Sequence, residues 1–320
     1  MVNGYLYGKS GKGDYNKDNL PRTRMQLFWE MLRVRLAGLV RLNLIYVVVW
    51  LPALFVIGRG LLLWYTGLAE VSDLQIQLEA GAVTAESYAQ TAGLWQDSFR
   101  GLLMQSLLLL VPCIAITGPS TAGLCYVTRN WARDEHAFLW SDFKDALKEN
   151  WKPALLTSVL TGLVPLVCYV CATFYGQMAA QSWLYRVPQM LSVVLCLLWM
   201  MMQIYTYPQI VTYTLSYKDM LRNSLLIAVG RLPMTAGMKL LSLVPTLIFA
   251  AVSLLTPWFQ YALTAYGIYY LVIGFALNRF VFASYSNAAF DRYINVKIEG
   301  AEVNRGLYTE DEDDDETPEE

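Results

Sequence analysis

Six apolar runs, at about 41–63, 101–126, 154–177, 189–213, 235–256 and 263–285, dominate this 320-residue sequence. Roughly 20 mostly apolar residues in helical form cross the hydrocarbon of a bilayer, where every backbone polar group must find a partner within the protein. Each run meets that length, so the chain is read as an all-α integral membrane protein with six transmembrane helices. Composition agrees: only 16% of its residues are charged, against about 25% in an ordinary soluble domain. Arg41 and Arg59 bound the first run and can extend their head groups to opposite faces.

The basic residues give the runs a direction. Twenty of the 24 Lys and Arg residues fall at or before the opening of the first run, in 129–152, in 218–239, or after 290. Only Arg59, Arg100 and Arg186 lie in the alternate connections, and Arg279 lies inside the sixth run. Positive charge is retained on the cytoplasmic side, which places both termini in the cytoplasm. The chain then divides into a basic cytoplasmic segment over 1–24, a membrane domain over 25–290 with an extracytoplasmic loop insertion at 64–100, and a cytoplasmic tail over 291–320. The stretch EDEDDDETPEE from Glu310 carries nine carboxylates and no base, so the formal charge of −2 conceals a body of +7. That tail reads as a solvated end, or as a lure for a basic partner surface. Residues 1–36 are polar and basic and the first apolar run is longer than a secretory h-region, so no cleaved leader is expected.

Between the second and third runs lies WARDEHAFLWSDFKDALKEN, residues 131–150. Trp140, Phe143, Leu147 and Trp151 recur at helical spacing while Asp142, Lys144, Asp145, Lys148 and Glu149 fill the remaining arc. An amphipathic helix at the inner interface is expected, with rings toward lipid, charges toward water and Ser141 as its N-cap. The pattern aromatic-x-acid-x-Leu-base occurs at Phe28–Arg33, Phe143–Lys148 and, with Tyr217 as the aromatic, Tyr217–Arg222, each time before an outward-going run. Each copy is followed by a proline near mid-membrane: Pro52, Pro165 and Pro245. These features predict three parallel repeats, each a cytoplasmic amphipathic elbow helix followed by a two-helix hairpin.

The stretch TGPSTAGLCYVTRNWARDEHAFLWSDFKDALKENWK, residues 117–152, resembles the YesL-like family of bacterial membrane proteins, a domain of unknown function of the DUF624 type. The positions that carry the likeness are Gly118, Pro119, Ala122, Gly123, Tyr126, Arg129, Arg133, Trp140, Ser141, Asp142 and Phe143. The longer first outer loop and the acidic tail depart from that pattern. The resemblance implies a bacterial cytoplasmic membrane and an association with carbohydrate uptake. It supplies no catalytic residues.

The residues offer little chemistry. His136 is the only histidine, which excludes paired-histidine zinc motifs, and its neighbours Asp134 and Glu135 point away from it on a helix. The five cysteines all lie in apolar runs and suggest neither a disulfide framework nor a metal site. Gly118–Gly123, containing Ser120 and Thr121, reads as a kinked packing seam or an inward-facing polar notch. Gln203 and Tyr207 share a helix face and fit either interhelical hydrogen bonds or a sugar hydroxyl; Arg279 reads as snorkelling or as a substrate contact. Ser120, Thr121, Gln203, Tyr207 and Arg279 are therefore the expected polar intramembrane site.

No cofactor, catalytic residue or metal ligand is expected, and no nucleic-acid partner. The favoured reading is a non-enzymatic accessory protein that docks sugar-uptake transporter subunits through Trp140, Asp142, Phe143, Asp145 and Asp219. The rival is a permease or permease-like subunit of a sugar transporter, although the ABC-permease Glu-Ala-Ala loop is absent. A membrane enzyme is least favoured.

Overall fold

The computed structural model describes residues 20–308, so most of the basic leading segment and the acidic run from Glu310 lie outside the described residues. The described chain is helical, without a strand, and six of its helices are long and apolar enough to cross a membrane. In order they are α1 (Arg24–Glu79), α2 (Ala85–Ala115), α3 (Thr117–Ala132), α4 (Ser141–Glu149), α5 (Trp151–Met178), α6 (Arg186–Thr212), α7 (Tyr217–Gly230), α8 (Leu232–Leu255), α9 (Phe259–Tyr269) and α10 (Phe275–Tyr293). A π turn, Tyr270–Gly274, joins the last two.

Three hairpins stand in a ring: α1 with α2, α5 with α6, and α8 with α9, which continues into α10. Around the ring α2 packs on α5, α6 on α8, and α10 on α1. The middle is filled by the ends of the returning helices. Thirteen of the 16 residues of α3 are buried, and α3 touches α1, α4, α5, α6 and α10. Met202 to Ile210 of α6 are buried without interruption. The outside is apolar: α8 exposes Leu240, Leu241, Leu247 and Ile248, a lipid-facing surface.

Three expectations require correction. The first elbow is not separate from its span, because α1 runs unbroken for 56 residues, about 84 Å. Residues 64–100, expected as a loop insertion, are largely helical: α1 continues to Glu79 and α2 starts at Ala85, with a short turn at Gly81 (φ 72°) between them. No proline interrupts either arm, and Thr84 caps α2 by accepting the Ser87 N–H. Gly67 admits the Trp95 indole, which a Cβ there would strike at 2.1 Å. Third, the run 101–126 is broken at Ile116. Pro119 has no N–H to donate to Ala115, four residues earlier. Ser158 of α5 donates to that stranded carbonyl instead, at 2.7 Å. It can reach because Gly118 lets α5 close in: a Cβ there would lie 2.4 Å from the Ala154 carbonyl oxygen.

The π turn has its own remedy. A five-residue step displaces the regular ladder, and Asn43 of α1, fully buried, meets it. Its Nδ2 donates to the carbonyls of Tyr270 (2.9 Å) and Leu271 (2.8 Å), and its Oδ1 accepts the Ala276 N–H at 2.9 Å. Replacing Asn43 with Leu keeps the volume and strands those groups, each costing roughly 1–3 kcal/mol. The Asn43→Leu protein should melt well below the parent in detergent, and Ser158→Ala should fall less because it strands one group. Equal melting of Asn43→Leu and parent would show that the amide does not hold the π turn.

Candidate functional site

The expected polar intramembrane residues gather where α1, α3, α5, α6 and α10 meet. Thr121 donates to the Thr117 carbonyl and shares a 2.8 Å hydrogen bond with the hydroxyl of Tyr46. Tyr207 packs in a buried cluster with Ala122 and Cys125 of α3. The Arg279 guanidinium lies over its ring, 4.8 Å from the centroid, a cation–π arrangement. Gln203 stands one turn from Tyr207 on the same face of α6; it is 7% exposed, and neither polar atom of its amide has a hydrogen-bond partner. Ser120 is also buried on α3. The group contains phenols, hydroxyls, an amide and a guanidinium, which suits hydrogen bonding and anion recognition. Among the described residues no group of three His, Cys, Asp or Glu is placed to hold a metal.

The second candidate surface is the end of the bundle where the two described chain ends meet. Asp291, 4% exposed, is its hub. Arg24 donates to Asp291 Oδ2 and, at 2.8 Å, to Asn304. The Asn304 N–H donates to Asp291 Oδ2 at 3.2 Å, and Asn295 donates to Oδ1 at 2.6 Å. Tyr213 from the end of α6 donates to Asn295 at 2.6 Å. Farther along, Tyr308 N–H donates to the Pro21 carbonyl at 3.0 Å, while Arg133 and Arg305 both pair with Glu135. Gly306, at φ 81°, lies against the Arg133 carbonyl, 2.8 Å from where a Cβ would stand. Residues 298–308 thus form a strap across this terminal face.

The expected docking residues do not behave alike. Trp140 (61% exposed) and Asp145 stand free on α4. Phe143, expected on the lipid side, is instead 4% exposed and packs on Gly123, whose missing side chain makes its socket. Asp142 accepts the Phe138 N–H at 2.9 Å and the Ser141 hydroxyl at 3.1 Å, which ties it to the turn before α4. Ser141 is the first helical residue rather than the N-cap; Trp140 occupies that position without a side-chain cap. Asp219 closes the start of α7, its carboxylate accepting the Ser216 hydroxyl while its N–H donates to Ser216 Oγ at 3.2 Å. His136 is exposed, its ring edge-on to Phe138 at 4.5 Å.

Sequence reasoning missed Asn43, Tyr46, Ser158 and Asp291. Asn43 was discoverable as an amide near the start of an apolar run, since intramembrane polar groups seek partners. Asp291 carried no such signal, because apart from Asn295, one turn on, its partners Arg24 and Asn304 lie 267 and 13 residues away.

Two measurements follow. Asp291→Asn should raise hydrogen exchange across 298–308 and lower stability by about 1–3 kcal/mol, the cost of disrupting a hydrogen-bonded charge; unchanged exchange would dissociate Asp291 from the strap. Asp134 holds φ 57°, and burial pushes its carboxyl above the usual range, with Arg35 opposing and Glu30 reinforcing the shift. A raised folded-state pKa disfavours folding above it and is relieved as pH falls through it. Asp134→Asn, which tolerates the left-handed angle, should therefore be at least as stable as the parent at neutral pH. That advantage should shrink on acidification; an advantage that grows at low pH would contradict the burial account.

Residues 39–171, from α1 through most of α5, match the model of a family described as a protein of unknown function, DUF624. No curated protein and no solved structure matches the chain. The matched stretch holds Asn43, the break at Ile116, the packing seam of α3 and the whole of α4. Over residues 39–171, then, this chain is similar to the DUF624 family.

Proposed function

We propose that this protein is a non-enzymatic accessory component of carbohydrate uptake in a bacterial cytoplasmic membrane, docking transporter subunits on its terminal face. The observation that carries the reading is the closed centre of the bundle. Leu124 of α3, Ile204 and Tyr205 of α6 and Phe280 of α10 are fully buried there, a packed plug where a permease needs a path. Trp140 and Asp145, by contrast, are free on α4. The link to carbohydrate, and to bacteria, rests on the family resemblance of residues 117–152. Cytoplasmic termini follow from the distribution of basic residues.

The reading includes three parallel repeats. Aligning Phe28, Phe143 and Tyr217 aligns the burial that follows. Met31, Ala146 and Met220 are 5%, 4% and 6% exposed. Leu32, Leu147 and Leu221 are half-buried, while Arg33, Lys148 and Arg222 are exposed. Each outgoing helix also extends a polar side chain to the returning helix of the preceding repeat. Asn43 of α1 reaches the π turn, Ser158 of α5 reaches Ala115, and Thr235 of α8 bonds Tyr205 of α6 at 2.7 Å. Three bridges of one sense, running around a ring of hairpins, support a pseudo-threefold arrangement. A permease-like role is the second reading, favoured by the unpartnered Gln203 and the nearby Arg279.

Docking is tested by purification from the native membrane in mild detergent, comparing the parent with Trp140→Ser/Asp145→Lys. Neither side chain makes a capping hydrogen bond, so melting should not fall while transporter subunits are lost. Undiminished recovery of the subunits by the variant would refute docking through α4. Recovery of an ATPase alone by the parent would favour the permease-like role.

A further inference from the structure

Two cations in the membrane-spanning region lack a counter-charge. Lys239 of α8 lies over the Phe282 ring, 5.0 Å from its centroid, and Arg279 lies over Tyr207. Among the described residues neither has a carboxylate within salt-bridge distance, and they repel one another across the seam between α8 and α10. Intramembrane charges are costly and are ordinarily paired. A ring face offsets part of that cost, on the order of 0.5–2 kcal/mol, which is less than an ion pair supplies at such depth.

We propose that the seam between α8 and α10 holds a phosphate monoester, with Lys239 and Arg279 meeting its charge. A carboxylate would neutralise one cation, whereas a phosphate monoester carries about −1.5 to −2 near neutral pH. Lys239 is roughly 12 Å along α8 from Arg231 at the terminal face, eight residues away. That depth is accessible from the membrane interface, and Lys239 is only half-buried beside the exposed Leu240 and Leu241, so the seam borders lipid. The same chemistry could arrive as a lipid headgroup or as a soluble sugar phosphate. This inference is independent of docking through α4.

The test uses the full-length protein in phosphatidylcholine nanodiscs, titrated separately with phosphatidic acid and with glucose 6-phosphate. Binding is followed by thermal shift and phosphorus NMR. One probe should bind, and Lys239→Gln and Arg279→Gln should each weaken it roughly ten- to hundred-fold, the worth of a charge-assisted hydrogen bond. Lys218→Gln, on the exposed side of α7, should leave binding unchanged. Phosphatidic acid alone binding assigns the site to lipid; the hexose phosphate alone binding assigns it to a soluble ester. Absence of binding by either, or equal weakening by Lys218→Gln, overturns the proposal. If a variant fails to fold, the parent decides alone: a bound phosphorus resonance with one probe supports the site, and its absence with both removes it.

Discussion

Inside a bilayer a helix cannot lose a backbone hydrogen bond without another protein group taking its place. Apart from the single bonds omitted at Pro52, Pro112, Pro165, Pro208 and Pro245, where the helices run on, this chain interrupts its helical ladders at Ile116 and across Tyr270–Gly274. Ser158 and Asn43 answer those breaks from neighbouring helices. The rest of the packing follows from where they must stand. Ser158 reaches Ala115 only if α5 closes on Gly118, and that approach brings α3 to the centre of the bundle. Asn43 reaches the π turn only if α1 lies along α10, and that contact closes the ring of hairpins. Hydrophobic burial drives association weakly in lipid, so a few hydrogen bonds of this kind carry an unusual share of the specificity.

The breaks also account for the distribution of small and large residues. Gly118 and Gly123 on α3 receive the backbone of α5 and the ring of Phe143 respectively. Bulky residues are then left to the outer faces, where Leu and Val meet lipid without needing complementary shape. The terminal face works differently, through charge and hydrogen bonds centred on Asp291, in a setting where water competes.

Much of this was legible in the sequence, and the failures have physical causes. The apolar runs were visible because twenty-residue stretches without charge have few alternative fates. The kinked seam at Gly118–Gly123 was readable because proline and glycine act locally. The end of α1 was not, because residues 64–79 are polar enough to resemble a loop yet contain nothing that stops a helix. Phe143 was misplaced for a similar reason: its helical spacing with Trp140 and Trp151 fits a lipid face equally well, and only the absent side chain of Gly123, twenty residues away, decides otherwise. Gln203 and Tyr207 were paired by helical spacing and Arg279 was picked by residue type, but the approach of Arg279 to Tyr207 depends on which helices adjoin, which no local pattern states. Lys239 was counted for topology and overlooked as a site, because sorting charges by side of the membrane hides the one that enters it.

The clasp at Asp291 has a consequence for how the molecule is made. Arg24 is among the first described residues to emerge during synthesis, and it bonds Asp291 and Asn304, which are among the last. Until that end is translated, Arg24 and the start of α1 lack their partners. The terminal face therefore acquires its final form only after all the membrane helices have been delivered, so a truncated or mis-inserted chain displays an open seam that the finished molecule hides. Quality-control machinery that reads exposed polar surface would have at that seam a direct indicator of completion.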